Sequence, residues 1–220
     1  MAAEYKARER YQDQGIASNY DEVRFQSWHG RLSHRIEEAG LDAAIKKYFS
    51  RPGNILDLPC GTGRLFPVMI NQGFDVVGGD ISEAMLDCAR KKFQGKAGVS
   101  LEKMDAENLP YPENHFDYVT SYRLMTHLPR DVRRRVLDEM IRVARKILVL
   151  NFHFKVFTPL YVFNRFFRKN NCPAYPVPET EIRREFEERK NVRLLEIRKL
   201  SWYERSSALV ILEKRPRQGD

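Results

Sequence analysis

A short apolar run that ends in an acidic residue and a glycine turn limits the fold most. Asn54-Ile55-Leu56-Asp57-Leu58 reads as a strand, and Pro59-Cys60-Gly61-Thr62-Gly63 breaks it before a helix over about 65–72. The rhythm then repeats. Residues 74–78 read as a second strand, and Ser82 caps the next helix with Glu83 in its first turn. Residues 99–104 and 116–121 are a third and fourth strand; a helix over about 131–143 leads into a fifth at 146–151. Strands alternating with helices at this spacing predict an open, parallel α/β sheet covered on both faces. Further on, 171–180 reads as a Pro-containing loop and 181–190 as a charged helix. Strands at about 193–202 and 207–213 are joined by so short a link that they should pair antiparallel. Upstream, Ile36, Leu41, Ile45 and Tyr48 recur at helical spacing, with Gly40 separating two shorter helices.

Composition narrows the class. The chain has 220 residues and 42% hydrophobic residues, enough for one domain over 1–220 with a sizeable core. No apolar run approaches the ~20 residues of a membrane span. Residues 1–14 are polar and lack the apolar stretch of a secretory leader. Cys60, Cys88 and Cys172 have no short pairing, so neither a disulfide framework nor a Cys-based zinc site is expected, and the cytoplasm is the expected compartment. The five histidines form no ligand set at metal spacing, so no metal is expected. A net charge of +8 favours anionic partners, with the excess gathered at Arg130, Arg133, Arg134, Arg135, Arg142, Arg145 and Lys146. Such a run on a helix is more often a solvated face than a binding stripe.

In an open α/β sheet, ligands bind at the carboxyl ends of the strands. Gly61 and Gly63 let the backbone turn sharply there, and Asp80 ends the second strand 23 residues after Asp57. Two ligands compete for this pattern. A dinucleotide needs G-x-G-x-x-G, but the third glycine position holds Phe66, and Asp57 would face a pyrophosphate. A phosphate-free nucleoside with a cationic end suits the carboxylates better, and S-adenosylmethionine is such a compound.

The segments Ile55-Leu56-Asp57-Leu58-Pro59-Cys60-Gly61-Thr62-Gly63 and Val77-Gly78-Gly79-Asp80-Ile81-Ser82-Glu83-Ala84-Met85-Leu86 resemble the class I S-adenosylmethionine-dependent methyltransferases. Within them, the small group that includes quinone-ring methyltransferases is most similar. Met104-Asp105-Ala106-Glu107 and Phe116-Asp117-Tyr118-Val119 extend the likeness, which is strong over about 50–150. Pro59 departs from it, since many members carry glycine there. The resemblance implies a Rossmann-like seven-stranded, mostly parallel sheet of order 3-2-1-4-5-7-6 with strand seven antiparallel. It also implies S-adenosyl-L-methionine as cofactor. Asp57, Cys60, Gly61 and Gly63 would then lie by the methionine end, and Asp80 by the ribose. Ile81, Met85, Asp105 and Ala106 would lie by the adenine, and Ser121, Tyr122 and Arg123, just past the fourth strand, by the transferable methyl. N-terminal helices over 1–50 would cover the cofactor, with Tyr20 and Arg24 on one face and Arg24 toward the cofactor carboxylate.

In-line methyl transfer needs positioning, desolvation and, for some acceptors, a base. His127 and His153, after the fourth and fifth strands, are the candidate bases. Residues 152–190 are expected to form a substrate-side lid. Seven aromatic residues fall within 152–167, and 157–169 carries Arg165, Arg168 and Lys169, a pattern fitting a lid, a core helix or peripheral membrane contact. The expected acceptor is a small aromatic or lipid-like molecule. Nucleic acid, with RNA methylation, is the rival substrate. A non-catalytic cofactor-binding partner subunit is the rival class.

Overall fold

The computed structural model describes residues 15, 17, 19–50, 53–155, 175–200 and 206–216. The elements in order are α1 (Tyr20–Phe25), α2 (Trp28–Tyr48), β1 (Asn54–Asp57), α3 (Phe66–Ile70), β2 (Asp75–Asp80), α4 (Glu83–Phe93) and β3 (Val99–Lys103). Then come β4 (Phe116–Ser121), a 3-10 turn (Met125–His127), α5 (Arg130–Val143), β5 (Ala144–His153), α6 (Glu179–Glu188), β6 (Val192–Lys199) and β7 (Ser207–Lys214). The strands form one sheet of order β3-β2-β1-β4-β5-β7-β6. All neighbours are parallel except β7, which runs antiparallel to both β5 and β6. The sheet order and the hairpin agree with the sequence reading.

Alternation along the central strands supplies two cores. Leu56, Val119, Leu148 and Leu150 face Val136, Met140 and Ile141 of α5 and Phe186 of α6. Ile55, Tyr118, Val149 and Ile211 face Leu41 and Ile45 of α2, Phe66 and Met69 of α3 and Leu86 of α4. Every residue of β4 is buried, as a strand covered on both faces requires. Each large side chain so buried contributes roughly 1.5–3 kcal/mol, which fixes the strand ends where the site must form.

The N-terminal region departs from expectation. Gly40 does not separate two helices: α2 runs unbroken through it. A Cβ at Gly40 would stand 2.4 Å from Leu200 Cδ2 and 3.4 Å from Leu209 Cδ1. The glycine therefore admits the sheet's edge against the helix, and burial overrides its low helix propensity. The expected helix within 157–169, with the lid and membrane-contact readings built on it, lies outside the described residues.

Candidate active site

The turn after β1 is held from both sides. Leu58 N–H donates to Thr120 C=O at 2.9 Å and Cys60 N–H to Gly79 C=O at 2.8 Å. Pro59, between them and after a cis peptide bond, removes a donor this turn does not use. Gly61 and Gly63 both have positive φ, +54° and +74°, but for different reasons. Among the described residues, a Cβ on Gly61 would meet nothing within 4 Å, so on this side the glycine faces open space. A Cβ on Gly63 would fall 2.7 Å from the Phe93 ring, so this one is a packing glycine. Phe66 is fully buried, and its ring tip comes within 2.4 Å of where a Gly78 Cβ would stand. The bulk of Phe66 thus occupies the helix–strand contact that a dinucleotide fold leaves to its third glycine.

Two buried carboxylates flank this opening. Asp57 ends β1 and accepts a hydrogen bond from the Thr120 hydroxyl at 2.8 Å. Burial pushes its pKa up to about 7, against the Thr120 bond and the Arg64 charge, which pull it down. Asp80 ends β2; its Oδ2 accepts from Gly61 N–H and its Oδ1 from Ser82 N–H, each at 2.9 Å. Burial raises this pKa also, opposed by those backbone donors. Ser82 caps α4 as expected, its Oγ accepting from Met85 N–H at 3.2 Å. Ile81 follows directly, half-buried.

The N-terminal helices reach this turn through side chains that the sequence reading did not single out. Thr62, between the two glycines, donates its hydroxyl to Asp21 Oδ1 of α1 at 2.9 Å. Asp21 also pairs with Lys92 of α4. Ala17, Ala84 and Met85 form a small apolar cluster against which Tyr20 and Cys88 pack. Tyr20 and Met85 are therefore brought together; Arg24 lies in α1, but its side chain is outside the described residues. A second connection runs from α2. Glu37 is buried, its Oε2 2.6 Å from Arg64 Nη1 and its Oε1 2.9 Å from Arg123 Nη2. An acid on the stripe that also carries Gly40, Leu41 and Ala44 was the available signal.

On the β4–β5 side the placements are mixed. Ser121 is fully buried and its Oγ has no hydrogen-bond partner among the described residues. Tyr122 turns the other way from the expected methyl contact. Its ring is buried in the α2-side core, and its hydroxyl donates to Glu37 C=O at 3.5 Å. Cys60 likewise contributes backbone to the turn while its buried thiol donates to Gly61 C=O at 3.6 Å, its pKa pushed up by burial. Asp105 Oδ1 accepts from Glu107 N–H at 3.0 Å, a turn-capping bond, with Ala106 half-buried beside it. His127 closes the 3-10 turn after β4. His153 ends β5 and lines a recess of about 20 Å³ with Ser33, Glu37, Arg123 and Ser207. His127 thus follows β4, whereas β5 runs on to include His153 as its last residue.

The basic run is paired rather than free. Arg130 and Arg133 each lie 3.6 Å from Glu181, and Arg134 lies 3.9 Å from Glu185. Arg135 meets Glu107, Arg142 meets Glu139, and Arg145 and Lys146 both meet Asp117. The first three tie α5 to α6 and Arg135 ties it to the loop at Glu107, while Arg142–Glu139 lies within α5 and Arg145 and Lys146 join β5 to β4. Among the described residues, no cluster of His, Cys, Asp or Glu has a metal-binding arrangement, and no helix is long and apolar enough to cross a membrane.

A glycine turn opening between carboxylates at the first two strand ends, on a sheet of this order, defines a class. Over its central part the chain is similar to the class I S-adenosylmethionine-dependent methyltransferases. Residues 55–146 match the family model described as a methyltransferase domain. Over 127 residues the chain is 35% identical to the ubiquinone/menaquinone biosynthesis C-methyltransferase UbiE of Shewanella sp. strain W3-18-1, covering 54% of this chain and 47% of that protein. The chain thus spans about half the length of the curated relatives it matches. The fold is similar to that of magnesium protoporphyrin IX methyltransferase (ChlM) from Synechocystis PCC 6803 with bound SAH. The TM-score is 0.79 at 20% identity, over 95% of this chain and 98% of that one. It is also similar to the PH0226 protein from Pyrococcus horikoshii OT3, with a TM-score of 0.67 at 23% identity, over 86% and 93% of the two chains.

Proposed function

We propose that this protein transfers a methyl group from S-adenosyl-L-methionine to a small, aromatic or lipid-like acceptor. The observation that carries the reading is the open face of Gly61, bracketed by the buried carboxylates of Asp57 and Asp80. A phosphate-free ligand with a cationic end suits buried carboxylates, whereas a pyrophosphate would meet two negative charges in a low-dielectric site. The relatives named for methylating a quinone precursor and a porphyrin support a small-molecule acceptor, as does the internal pairing of the α5 basic run.

S-adenosylmethionine supplies an electrophilic methyl on a positively charged sulfur when bound. This chain's residues bind, orient and exclude water. Gly61 lets the turn approach the ligand without a side chain between them. Asp80 is held by backbone N–H groups and keeps lone pairs for ribose hydroxyls, since a carboxylate accepts about four hydrogen bonds. Asp57 favours the cationic end, and a nearby positive charge would lower its pKa from about 7 and hold it ionised. The buried Ser121 hydroxyl, lacking a partner among the described residues, has a free donor and acceptor for a ligand at the β4 end. His127 and His153 stand on the acceptor side as bases for an acceptor that must lose a proton.

Isothermal titration with S-adenosylhomocysteine and with NADH tests the cofactor assignment; binding of NADH in preference would overturn it. Transfer of labelled methyl to a small-molecule extract, against total RNA, tests the acceptor. Label in RNA alone would replace the small-molecule assignment. Tight cofactor binding with no transfer to either would favour a partner subunit.

A further inference from the structure

Glu37 belongs to none of the motifs that define the cofactor turn, yet it is among the most buried charged groups described, 3% exposed. Its two oxygens are divided between two distant parts of the chain. Oε2 lies 2.6 Å from Nη1 of Arg64, the residue that directly follows Gly63. Oε1 accepts from both Nε and Nη2 of Arg123, at 3.0 and 2.9 Å. Arg123 stands two residues past the end of β4 with φ +62°, a backbone region that non-glycine residues seldom adopt. The network extends along α2. Arg64 Nη1 lies 3.2 Å from His34 Nδ1, and His34 Nε2 lies 3.4 Å from Glu38. Because a guanidinium only donates, His34 accepts on Nδ1 and carries its proton on Nε2, toward Glu38.

We propose that Glu37 is a positioning residue for methyl transfer: one carboxylate from the N-terminal helix fixes the cofactor turn through Arg64 and the acceptor-side exit of β4 through Arg123. Both arms are charge-assisted bonds to one buried carboxylate, the Arg64 arm enclosed and the Arg123 arm partly exposed, so each depends on the carboxylate being held where the other arm needs it. The function of the link is to keep the two half-sites in one geometry, as in-line transfer between two bound molecules demands. The inference rests on the methyl-transfer reading for its purpose, but its physical content, coupling between Arg64 and Arg123, does not require a known acceptor.

The test is a double-mutant cycle on the full chain with two readouts, affinity for S-adenosylhomocysteine and backbone hydrogen exchange at 61–65 and 121–125. Arg64→Gln is expected to weaken binding about 10-fold and Arg123→Gln about threefold. The double variant should lose no more than Arg64→Gln alone, because the arms act as one unit. Glu37→Gln should speed exchange in both segments at once, and Glu37→Asp, too short to span both guanidiniums, should restore one segment only. Independent, multiplying effects of the two arginine substitutions would overturn the proposal. So would Glu37→Gln changing exchange in one segment alone. If Glu37→Gln does not fold, the arginine cycle still decides. If wild-type chain does not bind S-adenosylhomocysteine, the methyltransferase reading fails separately, while exchange in the arginine variants still reports whether the two segments are coupled.

Discussion

The carboxyl ends of β1 and β2 differ in kind from those of β4 and β5. At the first pair, main-chain bonds carry most of the turn: Asp80 accepts from Gly61 and Ser82 N–H, and the turn hangs from the Thr120 and Gly79 carbonyls, while Thr62 and Arg64 add side-chain ties to Asp21 and Glu37 of the N-terminal helices. At the second pair, side chains are tied to remote elements: Tyr122 and Arg123 both reach back to Glu37 on α2. A turn held mainly by main-chain bonds to its neighbouring strands takes its shape once those strands pair. A site made of distant bonds forms only when the whole molecule has assembled, and its shape is free to follow the acceptor. The fold therefore keeps a fixed cofactor half beside an acceptor half that other parts of the chain define.

The strongest way to break that contrast is at Gly61. Gly61→Val should reduce S-adenosylhomocysteine affinity by 100-fold or more, because its side chain would fill the space the ligand needs. Its cost in stability is about 1–2 kcal/mol for a side chain at φ +54°. Gly63→Ala should do the reverse in emphasis. Its methyl would press on the Phe66 and Phe93 rings, costing about 1–3 kcal/mol of stability measured by denaturant unfolding. If both variants lost affinity and stability in equal proportion, the division of labour between the two glycines would be wrong.

Asp57 separates the halves by pH. In the folded chain it holds its proton up to about pH 7, against an ordinary value of 3.8. The folded state thus binds more protons than the unfolded state between those values, and this contribution to stability is lost as pH rises through about 7. A shift of this size is worth on the order of a few kcal/mol. Asp57→Asn should melt near wild type at pH 5 and several degrees above it at pH 8 without ligand. Parallel melting temperatures for the two proteins across that range would contradict the assignment. Asp80→Asn should act mainly on binding, weakening S-adenosylhomocysteine about 10-fold by titration. An amide oxygen can still accept from Gly61 or Ser82, but its charge and half its acceptor capacity are gone.

What the sequence disclosed follows the same division. Asp57, Gly61, Gly63 and Asp80 lie within one strand–turn–helix–strand span, so spacing alone brings them together. The antiparallel finish was legible because a short link leaves adjacent strands little choice. The directions of the Tyr122 and Cys60 side chains were not legible, since strand periodicity near a strand's end does not say which face a side chain takes. Glu37, Arg64 and Arg123 were invisible as a group: 86 residues separate Glu37 from Arg123, and only tertiary packing joins them. Asp21 was passed over for a related reason. A helix of six residues offers several polar side chains, and the one that meets Thr62 depends on how α1 is seated.

The smallest expected effect sits at the seat of α2, and it sharpens the contrast because α2 reaches both halves through Glu37. Gly40→Ala removes a glycine from a helix interior, which alone would favour folding by up to about 1 kcal/mol. Its methyl would stand 2.4 Å from Leu200 Cδ2, the free end of a flexible side chain, and 3.4 Å from Leu209 Cδ1. Leu200 can rotate aside more cheaply than a backbone or ring can move, so the gain and the cost nearly cancel. Unfolding free energy should change by less than about 1 kcal/mol, and S-adenosylhomocysteine affinity should stay within twofold. A loss of several kcal/mol would mean that Leu200 cannot yield and that the contact between α2 and the sheet edge is rigid. A loss of affinity instead would mean that the cofactor half depends on the seating of α2 beyond the Glu37–Arg64 contact.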